Sequence, residues 1–236
     1  MAPPCPPAEP PARPAVPPLV DPPVLFAERG ASRHVEPDSL EAHRLALRLG
    51  ATGVLTSVRA GDGGLVLGPG PRRLRRRSAV AGVGLDELYG VVAGTGTQLA
   101  VLVPDAVVGR AVATEARRLG EIERLWICSP SLDALVELRA ETLAARLLHR
   151  CSPAAADGGA ERHAARLRSD AVDGVLVAEA QVSAGLVALL HRFGRLVVAE
   201  GSNHPRTASR GLSHGVDGIA GTDVEALVDA MAAGSD

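Results

Sequence analysis

The sequence predicts a (β/α)₈ barrel, and three observations support this fold class. Eight short runs rich in Val, Leu and Ile recur along the chain, helical patterns separate them, and the 236 residues suit one barrel. Short, nearly continuous apolar runs are typical of parallel strands that are buried on both faces. Eight strand–helix units in one register favour closure of the sheet, and an open doubly wound sheet is the alternative.

The predicted elements alternate from residue 24 to residue 233. Strands are predicted at 24–28, 53–58, 99–103, 124–128, 145–150, 173–179, 195–200 and 216–220. The first helix begins at the N-cap Ser39 and ends before Gly50, which are the expected start and stop signals. Further helices are predicted at 106–119, 131–139, 160–168, 183–193, 206–214 and 223–233.

The interval from residue 60 to residue 98 breaks this alternation. It is rich in glycine and arginine, and only 85–92 has a helical pattern. We expect a loop-rich excursion after the second strand, at the carboxyl-terminal face where barrels carry their sites. The run PRRLRRR at 71–77 is either an anion- or acidic-partner-binding patch or a solvated loop, and the loop is the preferred interpretation.

Composition predicts two regions and excludes several classes of function. The first 22 residues are proline-rich and predict a disordered tail, followed by one barrel domain over 23–236. They lack the features of a signal peptide, and no apolar run is long enough to span a bilayer. A net charge of −2 and 2 % aromatic residues argue against nucleic-acid binding. The three cysteines form no CxxC pair, which favours a reducing, cytoplasmic location.

Several stretches resemble the glycerophosphodiester phosphodiesterase family. ERGAS at 28–32 matches the family's His-Arg-Gly-Ala-Ser, and EPDS at 36–39 matches its Pro-Glu-Asn-Thr. HGVDGIAGTD at 214–223 is similar to the family's closing motif, and WICSPSLDALVELR at 126–139 is similar to its mid-chain strand and helix. The resemblance implies a barrel that hydrolyses glycerol-linked phosphodiesters with a divalent metal, two acid–base histidines and three metal-binding carboxylates.

The matching positions lack these catalytic groups. Glu28 replaces the first histidine, and Leu55-Thr56-Ser57 replaces the Glu-x-Asp of strand two. The second histidine falls at Gly68-Pro69, and the strand-three glutamate falls near Val101. We therefore expect neither a resident metal nor hydrolysis.

The main hypothesis is a non-catalytic module that binds a phosphorylated small molecule through Arg29 and Gly30. Arg29 could bind phosphate with two hydrogen bonds or form a structural ion pair with one of the strand-end carboxylates, and the sequence favours neither. A protein partner is not identified by the sequence.

Two alternatives stay open. The first is an active phosphoric diester hydrolase of glycerophospholipid head-group metabolism, with Glu28 as catalytic residue and Ca²⁺ or Mg²⁺ in a rebuilt acidic site. Its candidate ligands are Glu28, Asp105, Glu179 and Glu200 at predicted strand ends, although Asp105 is also placed to cap a helix. The second is a scaffold or regulatory protein that acts through the tail and the arginine run.

The histidines show no metal-binding spacing. His34, His149 and His204 are expected near the barrel mouth. The remaining four lie on predicted helices, where outer faces or helix ends are expected: His43, His163, His191 and His214.

Overall fold

A computed structural model describes residues 16–68 and 82–233. The strands are β1 (Val24–Glu28), β2 (Gly53–Gly61), β3 (Gly64–Leu67), β4 (Gln98–Leu102), β5 (Leu125–Ser129), β6 (Arg146–Arg150), β7 (Gly174–Ala178), β8 (Leu196–Glu200) and β9 (Gly218–Gly221). The helices are α1 (Leu40–Arg48), α2 (Leu85–Val92), α3 (Ala106–Leu119), α4 (Leu132–Arg139), α5 (Gly159–Ser169), α6 (Ala184–Arg192), α7 (Pro205–Ser213) and α8 (Val224–Ala233).

Eight of these strands form a closed parallel barrel, which confirms the predicted fold class. The barrel order is β1, β2, β4, β5, β6, β7, β8 and β9, and β9 pairs back onto β1. At the closure, Phe26 of β1 is in register with Gly53 of β2 and with Ala220 of β9. Each predicted strand and helix is present, with boundaries that differ by one to three residues at most.

The interval after the second strand contains a β-hairpin that the sequence analysis did not predict. β2 runs on to Gly61 and pairs with β3 in antiparallel register, from Val58 opposite Leu67 to Gly61 opposite Gly64. The connection is Asp62-Gly63, and an Asp-Gly pair between two strand patterns is a strong hairpin signal. In this hairpin the positive φ angle falls on the next residue, Gly64, at 135°. Helix α2 has the predicted bounds, and the arginine run lies outside the described residues.

The barrel interior is filled by side chains that alternate along the strands. Phe26, Leu55, Trp126, Leu148 and Val198 belong to one buried cluster with side chains from the other strands. The rings of Phe26 and Trp126 meet edge to face, with centroids 5.4 Å apart. Gly53 makes room for this pair, since a Cβ atom there would lie 2.6 Å from Cδ1 of Phe26.

A second, larger cluster lies between the outer faces of the strands and the helices. Side chains at four N-caps accept hydrogen bonds from helix backbone N–H groups, as expected of Ser and Asp there: Ser39, Asp105, Ser131 and Ser183. Two helical histidines lie in this layer rather than on the surface, because His43 is fully buried and His163 is 5 % exposed. The expectation of outer-face positions is therefore wrong for both.

The end of the barrel opposite the mouth is held together by a fully buried carboxylate. Asp217 accepts hydrogen bonds from the backbone N–H groups of Leu19 (2.6 Å), Val20 (3.0 Å) and Val197 (2.7 Å). Its Oδ2 atom also lies 2.9 Å from Nε2 of His191, whose side chain is 5 % exposed. His191 is the penultimate residue of α6 and so lies at a helix end, which is one of the two expected positions, although its side chain is buried.

The contacts of Asp217 show that the structured domain starts earlier in the chain than the predicted boundary at residue 23. Leu19 and Val20 fall within the predicted tail of residues 1–22, yet both are held by Asp217, and Val20 packs against the interior cluster. The barrel domain therefore begins upstream of residue 23. Residues 1–15 of the predicted tail lie outside the described part of the chain.

Candidate functional site at the barrel mouth

The carboxyl-terminal ends of the parallel strands define the barrel mouth. Side chains two positions beyond the interior cluster point inward at this end, because successive residues of a strand face opposite sides. They are Glu28 on β1, Ser57 on β2, Leu102 on β4, Arg150 on β6 and Glu200 on β8. Active sites of (β/α)₈ barrels lie at this face.

The mouth carries one ion pair and one carboxyl group of altered acidity. Nε of Arg150 donates to both carboxylate oxygens of Glu200, at 2.8 and 3.0 Å. Burial raises the pKa of the Glu28 carboxyl, and the negative charge of Glu200 raises it further, against the opposing effect of Arg150. The charged groups of β1, β6 and β8 therefore act on one another across the mouth.

Arg29 forms a structural ion pair, but its partner is Asp38 of the first loop and not one of the strand-end carboxylates that were expected. It has a φ angle of 60°, and its Nε donates to Oδ2 of Asp38 at 2.7 Å. Oδ1 of the buried Asp38 accepts a hydrogen bond from Thr56 at 2.7 Å, which ties the first loop to β2. The Arg29 side chain remains 41 % exposed, so the ion pair leaves part of the guanidinium facing solvent.

Gly30 is needed for close packing beside Arg29. Its φ angle is 76°, and a Cβ atom there would lie 2.6 Å from the carbonyl carbon of Ala42 in α1. Its N–H group points to the carbonyl oxygen of Ala27 at 3.4 Å. This geometry explains the glycine without a ligand, and its predicted phosphate contact stays a prediction.

The strand positions at which the resemblance places metal-binding carboxylates are apolar or uncharged. Leu55 belongs to the buried interior cluster and is in register with Glu28, and Ser57 faces the mouth above it. On β4, Val101 points outward into the helix layer, so the inward side chains there are Ala100 and Leu102. These side chains do not fit a Ca²⁺ or Mg²⁺ ion, which requires several oxygen ligands that converge on it.

Several solved structures of similar fold are glycerophosphodiester phosphodiesterases. A glycerophosphodiester phosphodiesterase from Thermotoga maritima is 20 % identical, with a TM-score of 0.70 over 87 % of this chain and 97 % of that one. An Oleispira antarctica phosphodiesterase, solved with the product sn-glycerol-3-phosphate, is 17 % identical, with a TM-score of 0.72 over 89 % and 97 % of the chains. A glycerophosphodiester phosphodiesterase from Parabacteroides distasonis is 14 % identical, with a TM-score of 0.72 over 90 % and 98 %.

The chain has the fold of the glycerophosphodiester phosphodiesterases. No family model matches its sequence, and no curated protein matches it either. At this level of identity the similarity concerns the barrel architecture and leaves the chemistry to be argued from the residues themselves.

Within this phosphodiesterase fold, the closing motif at 214–223 serves the architecture. Its Asp217 lies at the end of the barrel opposite the mouth and accepts hydrogen bonds from three backbone N–H groups in two neighbouring segments, Leu19-Val20 and the start of β8. Val172-Asp173-Gly174 repeats the pattern at the start of β7, where Oδ2 of Asp173 accepts from the N–H of Leu147 at 2.7 Å. The motif therefore accounts for the resemblance without supplying catalytic groups.

The four acidic candidates for a rebuilt metal site do not converge in the described part of this phosphodiesterase fold. Asp105 caps α3 by accepting from the N–H of Val108 at 2.9 Å, as its structural role predicted. Glu179 pairs with Arg210, and both oxygens of Glu200 are bound by Arg150. Within residues 16–68 and 82–233, no three carboxylates bring ligand atoms within 4.8 Å of one another.

His149 does not face the mouth of the phosphodiesterase fold, so that expectation is wrong. On β6 the inward residues are Leu148 and Arg150, and the ring of His149 lies on the helix side, 3.2 Å from Nε2 of His163. With Cys151 these two histidines form the one group of three metal-binding side chains found among the described residues. The β6 alternation in RLLHR would have indicated both this outward histidine and the inward Arg150.

None of the described helices has the length and hydropathy needed to cross a bilayer.

A cavity of about 840 Å³ lies beside the β2–β3 hairpin, between the hairpin and helices α2 and α3. Its described lining does not include the charged side chains of the mouth.

Proposed function

We propose that this chain is a non-catalytic protein of the glycerophosphodiester phosphodiesterase type that binds a phosphorylated small molecule at its barrel mouth. The observation that carries the proposal is the replacement of oxygen ligands by Leu55, Ala100 and Leu102 on the inward faces of β2 and β4. Buried aliphatic side chains disfavour a hydrated divalent cation, and hydrolysis of this type needs that cation to stabilise the charge of the transition state.

Two arginines support anion binding at the mouth. Arg29 and Arg150 are each held at Nε by a carboxylate, and their side chains are 41 % and 47 % exposed. A guanidinium fixed in this way is oriented before binding, so less entropy is lost when a phosphate contacts its remaining N–H groups. One similar structure, from Oleispira antarctica, holds sn-glycerol-3-phosphate, which makes glycerol phosphates the first ligands to test.

A titration of the full chain tests binding directly. sn-Glycerol 3-phosphate is titrated by calorimetry, with glycerol as the uncharged control. We expect saturable binding that weakens about 10- to 100-fold in Arg29→Gln and in Arg150→Gln, which corresponds to one lost charged hydrogen bond of about 1.5–3 kcal/mol. Arg166→Gln is the matched control, because Arg166 forms exposed ion pairs with Asp133 and Asp170 on the outer helices.

A hydrolysis assay on the same protein samples distinguishes ligand binding from catalysis. Glycerophosphocholine and a bis-aryl phosphodiester are incubated with Ca²⁺, Mg²⁺ or Mn²⁺, and product formation is followed. The proposal requires binding without turnover. Absence of binding would refute it and leave the scaffold or regulatory alternative.

One observation favours the alternative of an active hydrolase in glycerophospholipid head-group metabolism. The raised pKa of Glu28, caused first by burial and then by Glu200, is a property of carboxyl groups that donate protons in catalysis. Metal-dependent turnover that is lost in Glu28→Gln would establish this function and overturn the binding proposal. For location we propose the cytoplasm, in keeping with the free thiols of Cys128 and Cys151.

A further inference from the structure

Three metal-binding side chains meet on the outer side of the barrel, away from the mouth. His149 lies at the end of β6, Cys151 follows that strand, and His163 projects from α5. Nδ1 of His149 is 3.2 Å from Nε2 of His163, and Sγ of Cys151 is 3.5 Å from the same Nε2 atom. All three ligand atoms lie within 4.8 Å of one another.

We propose that His149, Cys151 and His163 form a transition-metal site with zinc as the best-fitting ion. Zinc is bound at about 2.0–2.1 Å by imidazole nitrogen and at about 2.3 Å by thiolate sulfur. In a tetrahedral site these bond lengths place two nitrogens about 3.4 Å apart and a nitrogen and a sulfur about 3.6 Å apart. The observed separations of 3.2 and 3.5 Å therefore need shifts of only a few tenths of an ångström.

The contact of His149 with the backbone orients its ring for this role. Its Nε2 is 3.2 Å from the carbonyl oxygen of Pro130, which can only accept a hydrogen bond. Nε2 therefore carries the proton and donates, and Nδ1 presents a lone pair to Cys151 and His163. A histidine ligand whose second nitrogen donates to a carbonyl is the usual arrangement in protein metal sites.

Burial keeps both imidazoles in the form that binds metal. Desolvation lowers the pKa of His149 and of His163, so both rings are neutral at pH 7. Burial raises the pKa of the Cys151 thiol to about 12 in the metal-free protein. Metal must therefore displace the thiol proton, and each bound ion releases about one proton near neutral pH.

The ligand set selects the kind of metal. One sulfur and two nitrogens suit zinc or cobalt and not Ca²⁺ or Mg²⁺, which take oxygen ligands. His149 and Cys151 are partly exposed, so solvent can supply a fourth ligand in a tetrahedral site. Arg150 lies between these two ligands and points into the mouth, where it binds Glu200. Metal binding would hold the end of β6 on both sides of Arg150, although the site itself does not depend on the proposed function.

Cobalt provides a direct readout, because thiolate coordination to Co²⁺ gives a near-ultraviolet charge-transfer band and a tetrahedral site gives intense visible bands. The chelator-treated full chain is titrated with CoCl₂ and then with ZnCl₂. We expect one ion per chain, both sets of bands, and their loss when zinc displaces cobalt. We also expect zinc at a hundredfold excess over its Kd to raise the melting temperature by about 5–10 °C.

Variants assign the signal to the three side chains. Cys151→Ser should abolish the charge-transfer band, and His163→Asn should weaken binding at least 100-fold, while both keep the metal-free melting temperature within a few degrees. Cys5→Ser and the exposed His204→Asn are the matched controls and should bind as the parent does. No bands at one equivalent of cobalt, or bands that persist in both Cys151→Ser and His163→Asn, would overturn the proposal. That result would leave a cluster that is held only by hydrogen bonds.

Discussion

Replacement of Asp217 by alanine should cost this barrel a large part of its stability. The carboxylate is fully buried and accepts from the backbone N–H groups of Leu19, Val20 and Val197 and contacts Nε2 of His191. Water can reach the partly buried groups of Leu19 and Val20, so the main loss comes from Val197 and His191. Two hydrogen bonds to a charged acceptor contribute about 1.5–3 kcal/mol each, and removal of one partner from a buried charged pair costs about 3–5 kcal/mol. The variant should therefore lose about 3–5 kcal/mol.

Urea and thermal unfolding followed by circular dichroism test this value. For a chain of this size a loss of 3–5 kcal/mol lowers the melting temperature by about 6–20 °C. Asp133→Ala is the control, since Asp133 is 87 % exposed and pairs with Arg166 at 3.5 Å. Its effect should stay within about 0.5 kcal/mol. A loss below about 1 kcal/mol in Asp217→Ala would refute the assignment of Asp217 as the structural centre of this end of the barrel.

Three further predictions follow from buried groups. Desolvation lowers the pKa of His43 to about 4, so as the pH falls below about 6.5 the unfolded chain binds this proton before the folded chain does. Between pH 7 and pH 5 the parent should therefore lose about 2 kcal/mol more stability than His43→Leu, as measured by urea titration. Equal losses in the two proteins would contradict the burial argument. Gly53→Ala should destabilise the protein by about 1–3 kcal/mol in the same titrations, because the added Cβ would overlap the Phe26 ring. Gly90→Ala is the control and should be neutral or stabilising, since no atom lies within 4 Å of the added Cβ. Equal effects of the two substitutions would argue against the packing explanation. Burial raises the pKa of the fully buried Cys128 thiol, so a maleimide should label this thiol only after the protein unfolds. Mass spectrometry measures the labelling, and rapid labelling of the native protein would show that the barrel interior is open.

The resemblance places metal-binding carboxylates at strand positions that are apolar or uncharged in this chain, and the structure changes one of these positions by one residue. Leu55 and Ser57 face inward as the alignment of motifs requires. Val101, the position expected for the strand-three carboxylate, faces outward, so Ala100 and Leu102 occupy the relevant places. A shift of one residue along a strand exchanges its two faces, and sequence comparison at low identity does not resolve such a shift.

For the histidines on helices, the sequence pattern did not predict whether the side chain is buried. His43, His163 and His191 were expected at outer faces or helix ends. His43 and His163 are buried within their helices, and His191 lies at the end of α6 with a buried side chain. Histidine occurs both at surfaces and in interiors, so its type carries little information on burial. Its surroundings depend on which neighbouring helix or strand packs against it.

The sequence alone determined the order of the predicted strands and helices and the class of fold. These features depend on local patterns, since a buried parallel strand must be apolar and a helix must be capped. The tertiary structure alone decided which side chains meet across the chain. The curvature of the barrel brings Arg150 of β6 to Glu200 of β8, 50 positions away. Arg29 pairs with Asp38, 9 positions away, because the first loop folds back, and His149 meets His163, 14 positions away, because α5 packs beside β6.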